Sequence, residues 1–380
     1  MKQLIKICHI TSVHQRYDTR IFYKECQTLA KYFQVNLIVN DEKEDEIINE
    51  VKIFSTNFSP KNRYQRMFVS IRKIKRLALE IDAEIYHLHD PELLRIVRFL
   101  KRKKKKVIFD SHEDYVSTIG IKEWIPKIFR RIILLFYKKY EERIVKKLDG
   151  AIACYHQTKE RYDNYIENVD LVFNFPIITN HNPKISTISE NKNVIGYAGQ
   201  IAEQWSHHFL IQSFEYTKNN VKYLLAGSAD EEYLRILKGH KRWSNVDFKG
   251  KIHFDNVIEE IYYKSSIGVA LLDYIPQCQT TVGNLSNTKL FEYMFYKLPV
   301  ICTDFDLWRN IVEGENCGIL VNPRKPEEIA KAIDFLCDNS EKAKQMGENG
   351  HNAIISKYNW ENDSKKLLKV YEEIIGFKIF

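Results

Sequence analysis

Short apolar runs alternate with longer amphipathic stretches along the whole chain, a rhythm that predicts an α/β fold of buried strands and covering helices. The run ending at Ile10 reads as a first buried strand. MKQLIKICHITS lacks the small-residue cleavage site of a signal peptide, so the strand reading is the better one. A loop over 11–18 leads into a helix from about Asp18 or Thr19. Asp18 is its candidate N-cap, and Ile21, Phe22, Leu29 and Phe33 supply its apolar stripe. VNLIVN at 35–40 closes a βαβ unit. EIYHLHDPELL at 84–94 and VIFDSHEDY at 107–115 are strands running into polar loops, and DGAIACYHQT at 149–158 is another. LVFNFP at 171–176 ends a first domain, and the aperiodic polar stretch 177–193 reads as a linker. VIGYAGQIAEQWSHHFLIQSF opens a second series of strands and helices. VKYLLAGSAD, VDFKGKIHF and the segment 271–323 continue it, and YNWENDSKKLLKVYEEII is a last helix. The expected division is therefore 1–176, 177–193, 194–355 and a terminal helical segment in 356–380.

In a parallel sheet, ligands bind off the carboxyl ends of the strands, which would gather His87, His89, Asp90, His112, Glu113 and Asp114. The segment 271–323 carries the other concentration of chemistry. A strand ending at Leu272 gives way to a loop with Gly283, Asn284, Ser286 and Asn287. Asn287 or Thr288 can cap a helix through Phe295; Leu298 and Pro299 end it before the buried strand VIC. The free N–H groups of such a helix start attract an anion, and Lys289 adds a mobile positive charge. Glu292, one turn on, can accept from a pair of hydroxyls. Phosphate and ribose side by side fit this pattern, and so does an ordinary capped helix bearing a surface acid.

KLFEYM, LPVICTD, WRNIV, NCGILVNP and PEEIAKAI in the second half, with HLHDPELL and FDSHED in the first, resemble family 4 glycosyltransferases. The resemblance implies the GT-B architecture, two facing Rossmann-like domains with an interdomain cleft, and a terminal helix that crosses back onto the first domain. It implies transfer from a nucleoside diphosphate sugar to a hydroxyl acceptor with retention, by front-face displacement and without a metal or other cofactor. Glu292 takes the place of the ribose-binding Glu, with Thr288 and Asn287 beside it. Asn284 stands where the family has a sugar-binding Glu, and His112 where it has the acceptor-side catalytic His. Gly199 and Gln200 correspond to a Gly-Arg pair, so Gln200 departs from the pattern, as does Trp205 where a second cation is usual. Main chain at Lys251 and Ile252 lies where the family holds the nucleobase. The loop after the first strand has His14, Gln15, Arg16 and Tyr17 in place of a Gly-Gly pair; Arg20, just beyond, either faces the phosphates or is solvated. The DxD of TDFD reads as a loop or capping element with Asp304, and His87, His89 and Asp90 have no familiar metal-ligand spacing. A catalytically idle partner subunit and a nucleotide-sugar epimerase are the competing functions within this architecture.

Charge adds a partner. Residues 61–76 carry seven Lys and Arg and no acid, 95–106 carry eight and no acid, and 122–147 carry nine against three acids. Together these segments hold +21 of a chain whose net charge is +8, which leaves −13 on everything else. Within 122–147, Ile132, Ile133, Phe136, Tyr140 and Ile144 share one face beside Arg130, Arg131, Lys138 and Lys139. That pattern suits a helix lying in an anionic membrane interface, and equally a domain helix with a solvated basic face. No nucleic-acid motif accompanies the basic segments. There is no apolar run long enough to span a bilayer, and the seven scattered cysteines suit reduced core thiols. The expectation is a cytoplasmic enzyme, peripheral at the inner face of the cell membrane, with a lipid-linked saccharide of surface-polysaccharide synthesis as acceptor.

Overall fold

The computed structural model describes residues 5–121, 126–179, 193–278 and 280–379. Most of the stretch read as a linker, the first four residues and the start of the turn before Pro126 lie outside the described residues. The chain forms two compact units, one holding the chain up to Asn174 together with Trp360 onward, the other Phe175–Asn359.

In the first unit, eight strands among the described residues make one sheet: β1 (Lys6–Ile10), β2 (Gln34–Val39), β3 (Glu46–Ile48), β4 (Val51–Ser55), β5 (Ile85–Leu88), β6 (Lys106–Ser111), β7 (Gly150–Ala153) and β8 (Val169–Leu171). Their order is β3-β4-β2-β1-β5-β6-β7-β8, parallel throughout except where β3 folds back on β4. Burial on both faces explains why these strands read as unbroken apolar runs. On one face Cys8, Ile10, Tyr86, Leu88 and Phe109 pack against Ile74, Ala78, Ile96 and Val97. Side chains alternate across a strand, so the opposite face receives His9 and, in register with it on β5, His87. The terminal helix Trp360–Ile375 belongs to this unit: Trp360 Nε1 donates to Thr28 Oγ1 at 2.8 Å and Asn168 Nδ2 to the Val370 carbonyl at 3.0 Å. The helix after β1 starts at Ile21, later than its polar flank suggests. Asp18 Oδ1 accepts from the amides of Arg20 and Ile21 at 2.8 and 2.9 Å, and a wide turn over Ile21–Cys26 precedes Gln27–Ala30.

The second unit has β9 (Val194–Ala198), β10 (Lys222–Ala226), β11 (Val246–Gly250), β12 (Ile267–Ala270), β13 (Val300–Thr303) and β14 (Gly318–Val321), all parallel, in the order β11-β10-β9-β12-β13-β14. This is the doubly wound dinucleotide-binding order, whose direction of growth reverses between β9 and β12. Gly268 on β12 makes room there. A Cβ at this position would lie 2.3 Å from Cγ of Tyr293, so only glycine lets the helix Thr288–Phe295 settle this close to the sheet. Tyr197, Leu225, Val269, Ile301 and Ile333 fill the core around it.

Candidate active site

In the second unit, the loop ends off the carboxyl ends of β9, β10 and β11 converge with the start of the helix Thr288–Phe295. The Gly227 amide donates to the Gly250 carbonyl at 2.8 Å, just before Lys251 and Ile252. Gly227 has φ +146°, and a Cβ there would stand 1.6 Å from the Gly199 carbonyl oxygen, so this approach requires glycine. A Cβ on Gly199 would in turn meet Lys289 Cε at 2.9 Å. Lys289 sits in the first turn of Thr288–Phe295, capped by Asn287, whose Oδ1 accepts from the Lys289 amide at 3.0 Å. Lys289 Nζ lies 2.8 Å from Glu292 Oε2, and the Tyr262 hydroxyl donates to the same carboxylate. Burial alone would raise the Glu292 carboxyl. The Lys289 ammonium and hydrogen bonds from Lys289, Tyr262 and Thr288 outweigh it and hold the group below its ordinary value. A cation, a helix start and an ionised acceptor thus adjoin a glycine-lined floor: an anion seat beside a hydroxyl acceptor.

In the first unit the chemistry lies off β1, β5 and β6, where that sheet's order also reverses. His112 is 12 % exposed, and its Nε2 is 3.1 Å from both Asp110 Oδ2 and His89 Nδ1. Behind it the imidazoles continue: His89 Nε2 is 2.9 Å from His9 Nδ1, and the Tyr371 hydroxyl is 3.4 Å from His9 Nε2 and 2.9 Å from His87 Nδ1. Burial holds His9 and His87 neutral, far below the ordinary histidine range, and brings His89 down to about 4. Burial would raise Asp110 too, but the Arg20 guanidinium and then His112 keep it well below the carboxylate range. An anionic Asp110 favours a proton on His112 Nε2, which leaves Nδ1 as the ring atom free to accept. His14 packs against His112 with ring centroids 4.9 Å apart. Its neighbour Asp90 accepts from Thr11 Oγ1 and the Ser12 amide at 2.9 and 2.6 Å, which fixes the loop after β1.

Two family models match the chain, "Glycosyltransferase Family 4" over residues 8–174 and "Glycosyl transferases group 1" over residues 179–353. Between them they take in both units and the strand ends just described. The chain is a glycosyltransferase of the GT-B type. An uncharacterized glycosyltransferase of Methanocaldococcus jannaschii is 24% identical over 300 residues, 73% of this chain and 70% of that protein. Sucrose-phosphate synthase from Thermosynechococcus elongatus superposes with a TM-score of 0.73 at 14% identity, covering 98% of this chain and 99% of its own. Anabaena HepE, solved with UDP and glucose, superposes with a TM-score of 0.68 at 14% identity over 97% and 99% of the two chains.

Several expected site residues of this glycosyltransferase come together, and two do not serve as expected. Gly199, Lys289, Asn287, Thr288 and Glu292 form one connected group with the strand end before Lys251 and Ile252, and Gln200 follows Gly199 with its carbonyl accepting from Tyr197 at 2.8 Å. Arg20 does not reach for phosphate, nor is it solvated. It is 5% exposed, bonds Asp110 through Nε and Nη2 at 2.9 and 3.2 Å, and donates from Nη1 to the Val172 carbonyl at 3.0 Å. A buried guanidinium stays there because leaving the ionised Asp110 unpaired is costly; Glu25, 2.9 Å from Arg20 Nε, is itself raised by burial and by Asp110. Asn284 is also turned inward: Nδ2 contacts Cys278 Sγ at 3.4 Å, Oδ1 accepts from the Ser286 amide at 3.1 Å, and its carbonyl takes the Trp308 indole at 2.7 Å. It shapes the loop before the helix and presents no amide outward. Asp304 pairs with Arg309, in keeping with a loop acid. One ligand-type atom from each of His9, Glu25, His87 and His89 lies within 4.8 Å of the others, as it does for His89, Asp110 and His112, a grouping different from His87, His89 and Asp90. Most of the ring nitrogens in these sets already pair with one another or with Tyr371. Sequence reasoning missed Asp110, although an acid two residues before His112 on one strand end shares its side of the sheet. It also missed Tyr262, Tyr371 and Gly227; only the last had a local signal, an apolar run ending in glycine.

Proposed function

We propose that this glycosyltransferase moves a sugar from a nucleoside diphosphate sugar to a hydroxyl acceptor with retention at the anomeric carbon. The observation that carries the reading is the Lys289–Glu292 pair at the start of the helix Thr288–Phe295, closed against Gly199. Glu292 accepts from the ribose hydroxyls, and main chain at Lys251 and Ile252 borders the base. The departing diphosphate gathers negative charge in the transition state, and stabilising such charge is commonly the greatest part of an enzyme's effect on rate. With Gln200 and Trp205 in place of cations, that task falls to Lys289 and the positive end of the helix, with no metal ion. His112, held through Nε2 by Asp110, offers Nδ1 to a hydroxyl of the reacting sugar or acceptor. The leaving phosphate takes the acceptor proton in a front-face displacement. Nucleotide sugar mixed with protein should release sugar whose first-formed anomer, followed by proton NMR, keeps the donor configuration. The inverted anomer appearing first would overturn retention.

The acceptor in this reading is a lipid-linked saccharide of surface-polysaccharide synthesis, met at the cytoplasmic face of the membrane. The helix Lys127–Val145 supports it by exposing Ile128, Phe129, Ile132, Leu135 and Phe136, at 77, 53, 49, 58 and 71%, among Arg130, Arg131, Lys138 and Lys139. A helix that leaves an apolar face in water beside so many cations suits an anionic bilayer surface. No described helix is long and apolar enough to cross a membrane.

A further inference from the structure

The histidines behind His112 form a chain that ends on the terminal helix Trp360–Ile375. His112 Nε2 lies 3.1 Å from His89 Nδ1, His89 Nε2 lies 2.9 Å from His9 Nδ1, and His9 Nε2 lies 3.4 Å from the Tyr371 hydroxyl. The same hydroxyl is 2.9 Å from His87 Nδ1. His9, His87, His89 and Tyr371 are all 0% exposed, so a mismatched N–H among them is costly. A neutral imidazole carries one N–H and one lone pair, so a ring that accepts at one nitrogen must donate at the other. The direction taken at one end of such a chain is therefore the direction at its far end. Asp110 sets one end. Its carboxylate, 3.1 Å from His112 Nε2, puts the proton on that nitrogen. A proton on His89 Nδ1 would face that N–H, and Asp110 Oδ2, at 3.7 Å, is too far to take it. His89 thus accepts at Nδ1 and donates from Nε2 to His9, which donates from its own Nε2 to the Tyr371 oxygen. A hydroxyl accepts and donates at once, so Tyr371 passes the direction on to His87 Nδ1. The strain of this arrangement falls on His87, whose Nε2 has no hydrogen-bond partner among the described residues. The opposite direction would leave His87 Nε2 a bare lone pair, but it would set a second lone pair, on His112 Nε2, against the Asp110 carboxylate.

From this geometry we infer that Tyr371 is a positioning residue for the reaction: through His9 and His89 its hydroxyl holds the proton of His112 on Nε2 and keeps Nδ1 bare for a substrate hydroxyl. Phenylalanine at this position would strand the His9 Nε2–H. The chain relieves that by reversing, which protonates His112 at Nδ1 and ends its role as an acceptor. The inference rests on the transferase reading and adds a residue of the terminal helix that touches no substrate.

Ring-nitrogen NMR on the full chain, with isotope-labelled histidine and His112→Gln to assign the signal, reports which nitrogen of His112 carries the proton. The wild type should show Nε2–H and a bare Nδ1, and Tyr371→Phe should move His112 toward Nδ1–H. In donor hydrolysis Tyr371→Phe should lower turnover roughly tenfold, the equivalent of one buried N–H left unpaired, with donor KM unchanged. In a His112→Ala background the same substitution should have no further effect. Asn168→Ala loosens the same helix by removing its bond to the Val370 carbonyl, and it should move neither tautomer nor turnover. A wild-type His112 protonated at Nδ1 would overturn the assignment, whether or not Tyr371→Phe folds. So would a tautomer that Tyr371→Phe leaves in place, or equal losses of turnover with and without His112, which would make Tyr371 a packing residue. If no donor is hydrolysed yet the tautomer responds to Tyr371→Phe, the transferase reading falls and the imidazole chain stands. If donor is hydrolysed and the tautomer is unmoved, only the chain falls.

Discussion

At the scale of single residues, this enzyme depends on a few charges held in fixed company. Glu292 stays ionised because Lys289, Tyr262 and Thr288 offset its burial. A charged hydrogen bond is worth about 1.5–3 kcal/mol, so Glu292→Ala should weaken nucleoside diphosphate binding by roughly tenfold or more with the fold intact. Calorimetry finding an unchanged affinity would remove Glu292 from the ribose. In the proposed reaction Asp110 acts through His112, so Asp110→Asn should lower turnover and alter its pH profile while donor KM stays near the wild-type value. A raised KM with normal turnover would make the pair part of donor binding instead. Glu292, Lys289 and Asn287 were legible in the sequence because they partner one another within one helical turn, while Tyr262, the other partner of Glu292, lies 30 positions away. Arg20 and Asn284 were not: Asp110 is 90 positions from Arg20, and the thiol holding Asn284 lies across a loop. The first pairing exists only once the sheet has assembled, and the second only once the loop has folded on itself.

At the scale of elements, small residues decide how closely the helices approach. The helix Thr288–Phe295 lies on β12 through Gly268, and a methyl group there would collide with Tyr293. Overpacking of this kind costs about 1–3 kcal/mol, so Gly268→Ala should lower the denaturant midpoint and, by tilting the helix, weaken nucleotide binding as well. An unchanged midpoint would mean that Tyr293 yields freely. Most of the central strands were readable from hydrophobic rhythm, because parallel strands buried on both faces are continuous apolar runs; β3, β4 and the helix Ile71–Ile81 were not read. What the rhythm concealed was the polar interior of the first unit. His9 and His87 interrupt otherwise apolar strands, and nothing local indicates that they meet one another and Tyr371 of the terminal helix.

At the scale of the molecule, those buried histidines couple folding to pH. His9, His87 and His89 stay neutral in the folded chain but take protons near pH 6.5 once unfolded. The unfolded state therefore binds more protons below about pH 6.5, and stability should fall as pH drops toward 5, by about 1.4 kcal/mol per pH unit for each histidine. His207, brought to about 3 by burial, adds to this loss, while Glu25, raised by burial and by Asp110, and His14, raised by Asp18 against its burial, work with the opposite sign. Urea midpoints that hold steady or rise from pH 7 to pH 5 would contradict this balance. The exposed helix Lys127–Val145 gives a second global expectation. Anionic vesicles should retain the protein at low salt, and a part should stay bound at high salt through Ile128, Phe129 and Phe136. Equal partitioning onto neutral and anionic vesicles, or onto neither, would remove the membrane from the account. The central claim is that a nucleoside diphosphate sugar occupies the seat formed by Gly199, Lys289 and Glu292. A hydrolysis screen of the purified chain across UDP-, GDP- and ADP-sugars tests it most directly. The account predicts slow release of sugar from donors of one base class, diminished in Glu292→Ala and Lys289→Ala. No hydrolysis and no binding of any of these donors, by a chain that is folded, would contradict it.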